Sequence, residues 1–158
     1  MKSLAKKLGV ALKRRRALLV TAESCTGGWA AQVVTSVAGS SVWFERGFVC
    51  YSNRSKQEVL GVRKQTLMRH GAVSEETARE MARGALRRSR GTVALAVTGV
   101  AGPAGGSPEK PVGTVCFAWA RGRRVRSETR HFRGNRARVR RRSVLRALRG
   151  VLEALDSG

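Results

Sequence analysis

Apolar residues along this chain switch between two spacings, and the switches divide it into elements. Leu4, Leu8, Ala11 and Leu12 recur at helical spacing, so Lys2 to Arg15 is predicted as a helix. Ala17 to Val20 is instead a continuous apolar run, the mark of a strand covered on both faces, and the strand is drawn from Ala17 to Ala22. Ala30, Val33, Val34 and Val37 return to one helical face and predict a helix over Thr26 to Val37, ended by Ala38-Gly39-Ser40-Ser41. Val42 to Tyr51, rich in β-branched and aromatic residues, reads as a second strand. Ser52-Asn53 then offers caps for a short helix reaching Leu60.

Gly61-Val62 interrupts the pattern, and a brief helix is predicted from Lys64 to His70. Ser74 is placed to cap the next helix: Glu75 and Glu76 suit its positive end, and Ala78, Met81, Ala82 and Ala85 form its apolar face. Thr92 to Thr98 is a third, strongly apolar strand. The Gly- and Pro-rich stretch Gly99 to Pro108 after it fits no regular element. Val112 to Ala120 and Arg124 to Phe132 are predicted to pair antiparallel through a turn at Arg121-Gly122-Arg123. A last helix, Asn135 to Leu155, turns Val144, Leu148, Val151 and Leu155 to the core. Interleaved strands and helices with a late hairpin predict an α/β fold: a single layered α/β/α domain over residues 1–158 with a mixed β-sheet. No internal repeat or dividing linker is present.

Composition alters this picture in one respect. The net charge is +22, with a long run of arginines after Arg121. Phosphate neutralisation by such a surface makes nonspecific nucleic-acid binding an expectation to test, and a noncatalytic basic domain binding nucleic acid or a protein is the alternative reading. Aromatic residues are only 5% of the chain and no zinc-finger, basic-zipper or RNA-platform motif occurs, so the pattern favours a solvated arginine surface over a nucleic-acid site. No apolar run approaches a membrane span and no signal-peptide pattern opens the chain, so a cytoplasmic protein without membrane contact is expected. Cys25, Cys50 and Cys116 are widely separated, as are His70 and His131, so no metal site, disulfide framework or other cofactor is expected.

Chemistry concentrates where strands give way to small polar residues. Ser24 follows the first strand, with Cys25, Thr26, Gly27 and Gly28 after it. A hydroxyl at a strand-to-helix turn, beside free N–H groups, has the parts of a nucleophile and an oxyanion hole, with the N–H groups of Cys25 and Thr26 as expected donors. Gly27-Gly28 would let a ligand approach the backbone closely. A plain capping role for Ser24 or Thr26 stays open at this point. With two isolated histidines a Ser–His triad is unattractive. Lys56, in the first turn of a helix whose positive end disfavours an ammonium, is a candidate base, or an ordinary surface lysine. The loop from Gly99 through Gly102 lacks P-loop spacing but suits a substrate-lining role.

Five blocks in this chain resemble, in order, the C-terminal domain of the competence-damage-inducible CinA proteins, a family that includes stand-alone nicotinamide-nucleotide amidases. They are TAESCTGG (21–28), GSSVWFERGFVCYSNRSKQEVLGV (39–62), GAVSEETAREMARGA (71–85), AVTGVAGPAGGSPEKPVGTV (96–115) and FRGNRARVRRRSV (132–144). The resemblance implies deamidation of nicotinamide mononucleotide to nicotinate mononucleotide and ammonia by a metal-independent Ser–Lys mechanism. It implies Ser24 as nucleophile, Lys56 as general base and Tyr51 as an auxiliary hydroxyl, with Thr98 and Arg136 holding the substrate. A homo-oligomer is expected. Two positions depart from the family pattern: Asn135 stands where Asp is usual beside Arg136, and Cys50 where Ser or Thr is usual before Tyr51.

Overall fold

Along the central strands the side chains alternate in size, and that alternation sets the layers. The computed structural model describes residues 1–157. Its strands are β1 (Leu19–Glu23), β2 (Phe44–Val49), β3 (Val93–Gly99), β4 (Thr114–Arg121) and β5 (Arg124–His131). They form one sheet in the order β2-β1-β3-β4-β5, with β1 parallel to both β2 and β3 and the β3–β4 and β4–β5 pairs antiparallel. One face carries Leu19, Val93, Leu95, Val97, Phe117 and Trp119; the other carries Ala22, Ala94, Ala96, Ala118 and Ala120.

The large-residue face is covered by α1 (Lys2–Arg14), α2 (Trp29–Thr35) and α6 (Arg136–Asp156). Trp119 is wholly buried there, its indole N–H donating to the Ala147 carbonyl at 2.8 Å. It reaches that carbonyl because α6 has Gly150 opposite the ring, where any Cβ would overlap the indole. The alanine face is covered by α3 (Asn53–Leu60), α4 (Lys64–His70) and α5 (Glu75–Arg87). Small side chains on both α5 and the sheet bring that helix close, with Ala78, Ala82 and Ala85 buried against the strands.

The elements and the mixed sheet follow the sequence reading with one clear departure. The helix predicted from Thr26 begins at Trp29 and ends at Thr35, and a 3-10 turn at Ser40–Val42 precedes β2. Gly27 and Gly28 both take positive φ, at 60° and 95°, a left-handed path that no α-helix can include. Among the described residues, no helix is long and apolar enough to cross a membrane.

Candidate active site

Because β1, β2 and β3 run parallel, the segments that leave their C-terminal ends emerge on one side of the sheet, where ligand crevices form in α/β folds. Those segments carry Ser24, Tyr51 to Lys56, and the loop after Thr98. The antiparallel hairpin returns at the same edge and delivers Arg136 at the start of α6. The result is a cleft of about 280 Å³ lined by Ser24, Cys25, Tyr51, Lys56, Thr98 and Arg136, with Gly99 and Gly102 among its walls. The Thr26 side chain and Gly27, also expected near substrate, do not line it: Thr26 turns its hydroxyl inward to Glu23, leaving only its backbone N–H free, and the side of Gly27 where a Cβ would stand faces Arg140. Larger clefts of about 550 Å³ beside Trp119 and about 560 Å³ beside His70 and His131 hold no serine paired with a buried amine.

At the floor, Lys56 Nζ lies 3.1 Å from Ser24 Oγ. The lysine is 1% exposed, and its other two contacts are the carbonyl oxygens of Cys50 at 3.2 Å and Tyr51 at 3.3 Å. No carboxylate pairs with it among the described residues. Burial therefore pulls the Lys56 pKa below that of an ordinary lysine, opposed weakly by the nearby cysteines. A neutral amine fits these three neighbours. Its two N–H groups donate to the two carbonyls, and its lone pair is left for the Ser24 hydroxyl proton. Local sequence aims the lysine inward. Ser52 accepts from the Ser55 N–H at 3.0 Å, and Ser55 accepts from the Ser52 N–H at 3.1 Å, a reciprocal cap that starts α3 three residues before Lys56.

The turn bearing Ser24 is held from two sides by residues to which the sequence reading assigned no role. Glu23, fully buried, accepts from the Thr26 hydroxyl at 2.7 Å and from the Ala30 and Ala31 N–H groups at 2.8 and 3.0 Å. The first turn of α2 is thus satisfied by the protein's own carboxylate, and neither Ser24 nor Thr26 caps it. On the other side Arg140 donates from Nε to the Cys25 carbonyl at 3.0 Å and from Nη2 to the Thr26 carbonyl at 3.1 Å, with its guanidinium over the Trp29 ring. A trans peptide points N–H opposite to C=O, so fixing the Cys25 carbonyl fixes the Thr26 N–H on the far side of that peptide. The N–H groups of Cys25 and Thr26 have no hydrogen-bond partner among the described residues. Arg140 left no readable trace among so many arginines. Glu23, an acidic residue ending an apolar strand just before a helix, was the available signal.

Cys25 adjoins Ser24 and competes as a nucleophile, but burial pushes its thiol up to about 12, so it stays protonated at neutral pH. Thr98 donates its hydroxyl to the Ala72 carbonyl at 2.9 Å, which leaves only acceptor capacity on its oxygen. At the mouth, Arg136 donates to the Gly102 carbonyl at 2.7 Å and to the Tyr51 hydroxyl at 3.1 Å. Those two contacts orient Arg136. Asn135 does not: it caps α6, accepting from the Arg138 N–H at 3.0 Å, a position where Asn and Asp serve alike. The Cys50 thiol likewise stays out of the Lys56 contacts, which use only its backbone carbonyl. Among the described residues no three His, Cys, Asp or Glu side chains gather as a metal site.

Comparison with known proteins follows the same line. Residues 1–155 match the family described as the CinA C-terminal domain. A protein of Escherichia coli (strain K12) named nicotinamide-nucleotide amidohydrolase PncC is 55% identical, the match covering 92% of this chain and 88% of that one. One of the same name from Pseudomonas putida is 53% identical over 96% and 94% of the two chains. The crystal structure of a competence-damaged protein (CinA) superfamily protein from Klebsiella pneumoniae superposes with a TM-score of 0.96 at 36% identity, covering 99% of this chain and 98% of that one.

Proposed function

The chain belongs to the CinA C-terminal domain family, and from that premise we propose that it is an amidohydrolase converting nicotinamide mononucleotide to nicotinate mononucleotide and ammonia. The observation that carries the mechanism is the contact of 3.1 Å between Lys56 Nζ and Ser24 Oγ, made by a buried amine that pairs with no carboxylate among the described residues. Lys56, neutral, takes the proton as Ser24 Oγ bonds to the carboxamide carbon. The N–H groups of Cys25 and Thr26 receive the oxyanion that forms. Collapse breaks the C–N bond, and the Lys56 ammonium returns its proton to the departing nitrogen, which leaves as ammonia. Water then gives Lys56 a proton and attacks the ester. As the ester's C–O bond breaks, Lys56 returns that proton to Ser24 Oγ.

The remaining residues hold the nucleotide. Thr98, with only acceptor capacity free, takes a hydrogen bond from the carboxamide N–H₂. Arg136 meets the 5′-phosphate at the mouth of the cleft through its guanidinium fork, and Tyr51 supports it there. The Gly99 to Gly102 backbone forms the wall along which the sugar lies. Purified protein incubated with nicotinamide mononucleotide is expected to release nicotinate mononucleotide and ammonia in equal amounts, in the presence or absence of a chelator. No product at enzyme concentrations comparable to substrate would overturn the assignment.

A further inference from the structure

Three basic segments stand far apart in this chain: Lys13 to Arg16, Arg87 to Arg90, and Arg121 to Arg124. The first two lead towards β1 and β3, and the third is the turn from β4 to β5. The sheet register brings them together. Leu19, opening β1, pairs with Val93, which opens β3. Val93 in turn pairs with Arg121 at the end of β4, and Arg121 with Arg124 at the start of β5. All three segments therefore meet at one end of the sheet. The cleft lies at the other end, about 20 Å away along the seven residues of β3.

The segments carry ten cations, Arg121 half-buried and the others exposed. Among the described residues the one carboxylate they pair with is Asp156, which holds Arg15 at 2.7 Å. Arg88, Arg121 and Arg124 donate to the carbonyls of Glu58, Leu155 and Ser157 at 3.1, 3.1 and 2.7 Å. Those contacts orient the guanidinium groups and leave their charge uncancelled. Arg16 also occupies an unfavourable backbone position. Its N–H and that of Ala17 donate to the carbonyls of Lys13 and Leu12, closing α1 with a left-handed turn in which glycine is usual. Arg16 stands there with φ at 51°, the single non-glycine residue of positive φ among those described.

None of the three segments holds an exposed large apolar side chain. This end of the sheet thus lacks the apolar anchors that a bilayer or a protein partner uses, and the aromatic rings on which unpaired bases stack. Phosphodiester oxygens suit it, because guanidinium groups bind them bidentately. From β1 to β5 the basic row crosses three strand spacings, about 14 Å. That is enough to reach phosphates on both sides of a major groove about 12 Å wide. We propose that this end of the sheet binds the backbone of duplex nucleic acid without reading its sequence. The inference is independent of the reaction assigned above.

Fluorescence anisotropy with DNA duplexes of two unrelated sequences and with an RNA duplex, each of about 20 base pairs, tests it between about 50 and 200 mM salt. The parent is expected to bind the two DNA sequences alike, with Kd rising by about four or more decades per tenfold rise in salt. The tighter of the DNA and RNA duplexes identifies the source of the phosphates. A variant with Arg14→Gln, Arg16→Gly, Arg87→Gln, Arg90→Gln and Arg123→Gln should bind about a hundredfold or more weakly, with a shallower salt dependence. A second variant removes as many exposed charges elsewhere on α1 and α6, by Lys2→Gln, Lys6→Gln, Lys7→Gln, Arg138→Gln and Arg141→Gln, and should lose less than about tenfold. Equal losses in the two variants would overturn the proposal. So would a parent that binds neither duplex at about 50 mM salt, or that prefers phosphatidylserine vesicles or poly-glutamate to both. Arg16→Gly alone relieves the left-handed strain, so it should melt higher than the parent yet bind roughly two- to fivefold more weakly. That single variant decides if the fivefold one does not fold, and parental affinity in it would overturn the proposal.

Discussion

Arg140, on the last helix, holds the Cys25 carbonyl at 3.0 Å, and so sets the peptide next to Ser24 although the two residues are 115 positions apart. The same guanidinium takes the Thr26 carbonyl, so a single side chain fixes two successive peptide planes of the turn. In the proposed reaction those planes aim the oxyanion donors, which makes Arg140 a positioning residue.

Replacing Arg140 by Met is therefore expected to lower kcat by roughly ten- to a hundredfold with a smaller change in KM, since the loss falls on the transition state; deleting a donor outright typically costs 10²–10³. Lysine restores little, because a point charge cannot span two carbonyls. An equal rise in KM with kcat preserved would mean that Arg140 holds substrate instead.

Lys56 gives a paired prediction about rate and stability. The rate should rise with pH as the amine loses its proton, with a midpoint below the ordinary lysine value near 10.4. Lys56→Arg cannot deprotonate and is expected to lose about a thousandfold or more of kcat/KM. The stability sign follows from the same shift. The unfolded chain binds a proton that the folded lysine resists, so the site destabilises the fold below the ordinary lysine value. That penalty fades as pH rises from the lowered pKa toward the unfolded one. Lys56→Met should therefore melt higher than the parent at neutral pH, each kcal/mol moving Tm by about 2–4 °C, with the gap closing in alkali. A Tm difference constant with pH would place the amine in its charged form throughout.

Cys25 is expected to be chemically silent. With its thiol pushed up to about 12 by burial, iodoacetamide at neutral pH should leave activity intact, and Cys25→Ala should stay within a few-fold of the parent. Inactivation by the reagent, absent in the Ala variant, would move the nucleophile one residue along.

Far from the cleft, Glu128 is held down to about 2 by the Arg146 guanidinium, which donates two hydrogen bonds to it, and secondarily by Arg130. Its unfolded value is about 4.3, so its contribution is complete above that pH and is lost as pH falls through about 2. Both partners are partly solvated, so the screened contribution is on the order of 1 kcal/mol. Glu128→Gln should lower Tm by about 2–4 °C at pH 7 and by nothing once Glu128 is protonated in both the folded and the unfolded chain, which thermal melts across pH would show.

The sequence was most readable where one interaction dominates. The unbroken apolar run from Val93 to Val97 and the capping residues Ser52 and Ser74 placed β3, α3 and α5, because burial on both faces and cap chemistry are local. The start of α2 was misread because Ala30, Val33 and Val34 keep helical spacing, while the two left-handed glycines before them leave no mark on that period. The cleft was legible in part. Ser24, Lys56, Tyr51 and Thr98 meet because parallel strands share an end, as their positions after strands suggested, whereas Arg136, expected only from the family resemblance, arrives through the antiparallel hairpin. Thr26 was expected there for its backbone N–H and Gly27 for its permissive backbone, and neither reading says which way the side chains of the turn face. Arg140 was hidden for a different reason: its partners are backbone carbonyls, which have no signature in sequence.

The most direct measurement is ammonia release from nicotinamide mononucleotide by the parent and by Ser24→Ala, at equal concentrations and with both folds checked by melting temperature. Turnover by the parent and none above background in the folded Ala variant is the predicted result. Comparable turnover in both would contradict Ser24 as the nucleophile, and with it the role assigned to the amine 3.1 Å away.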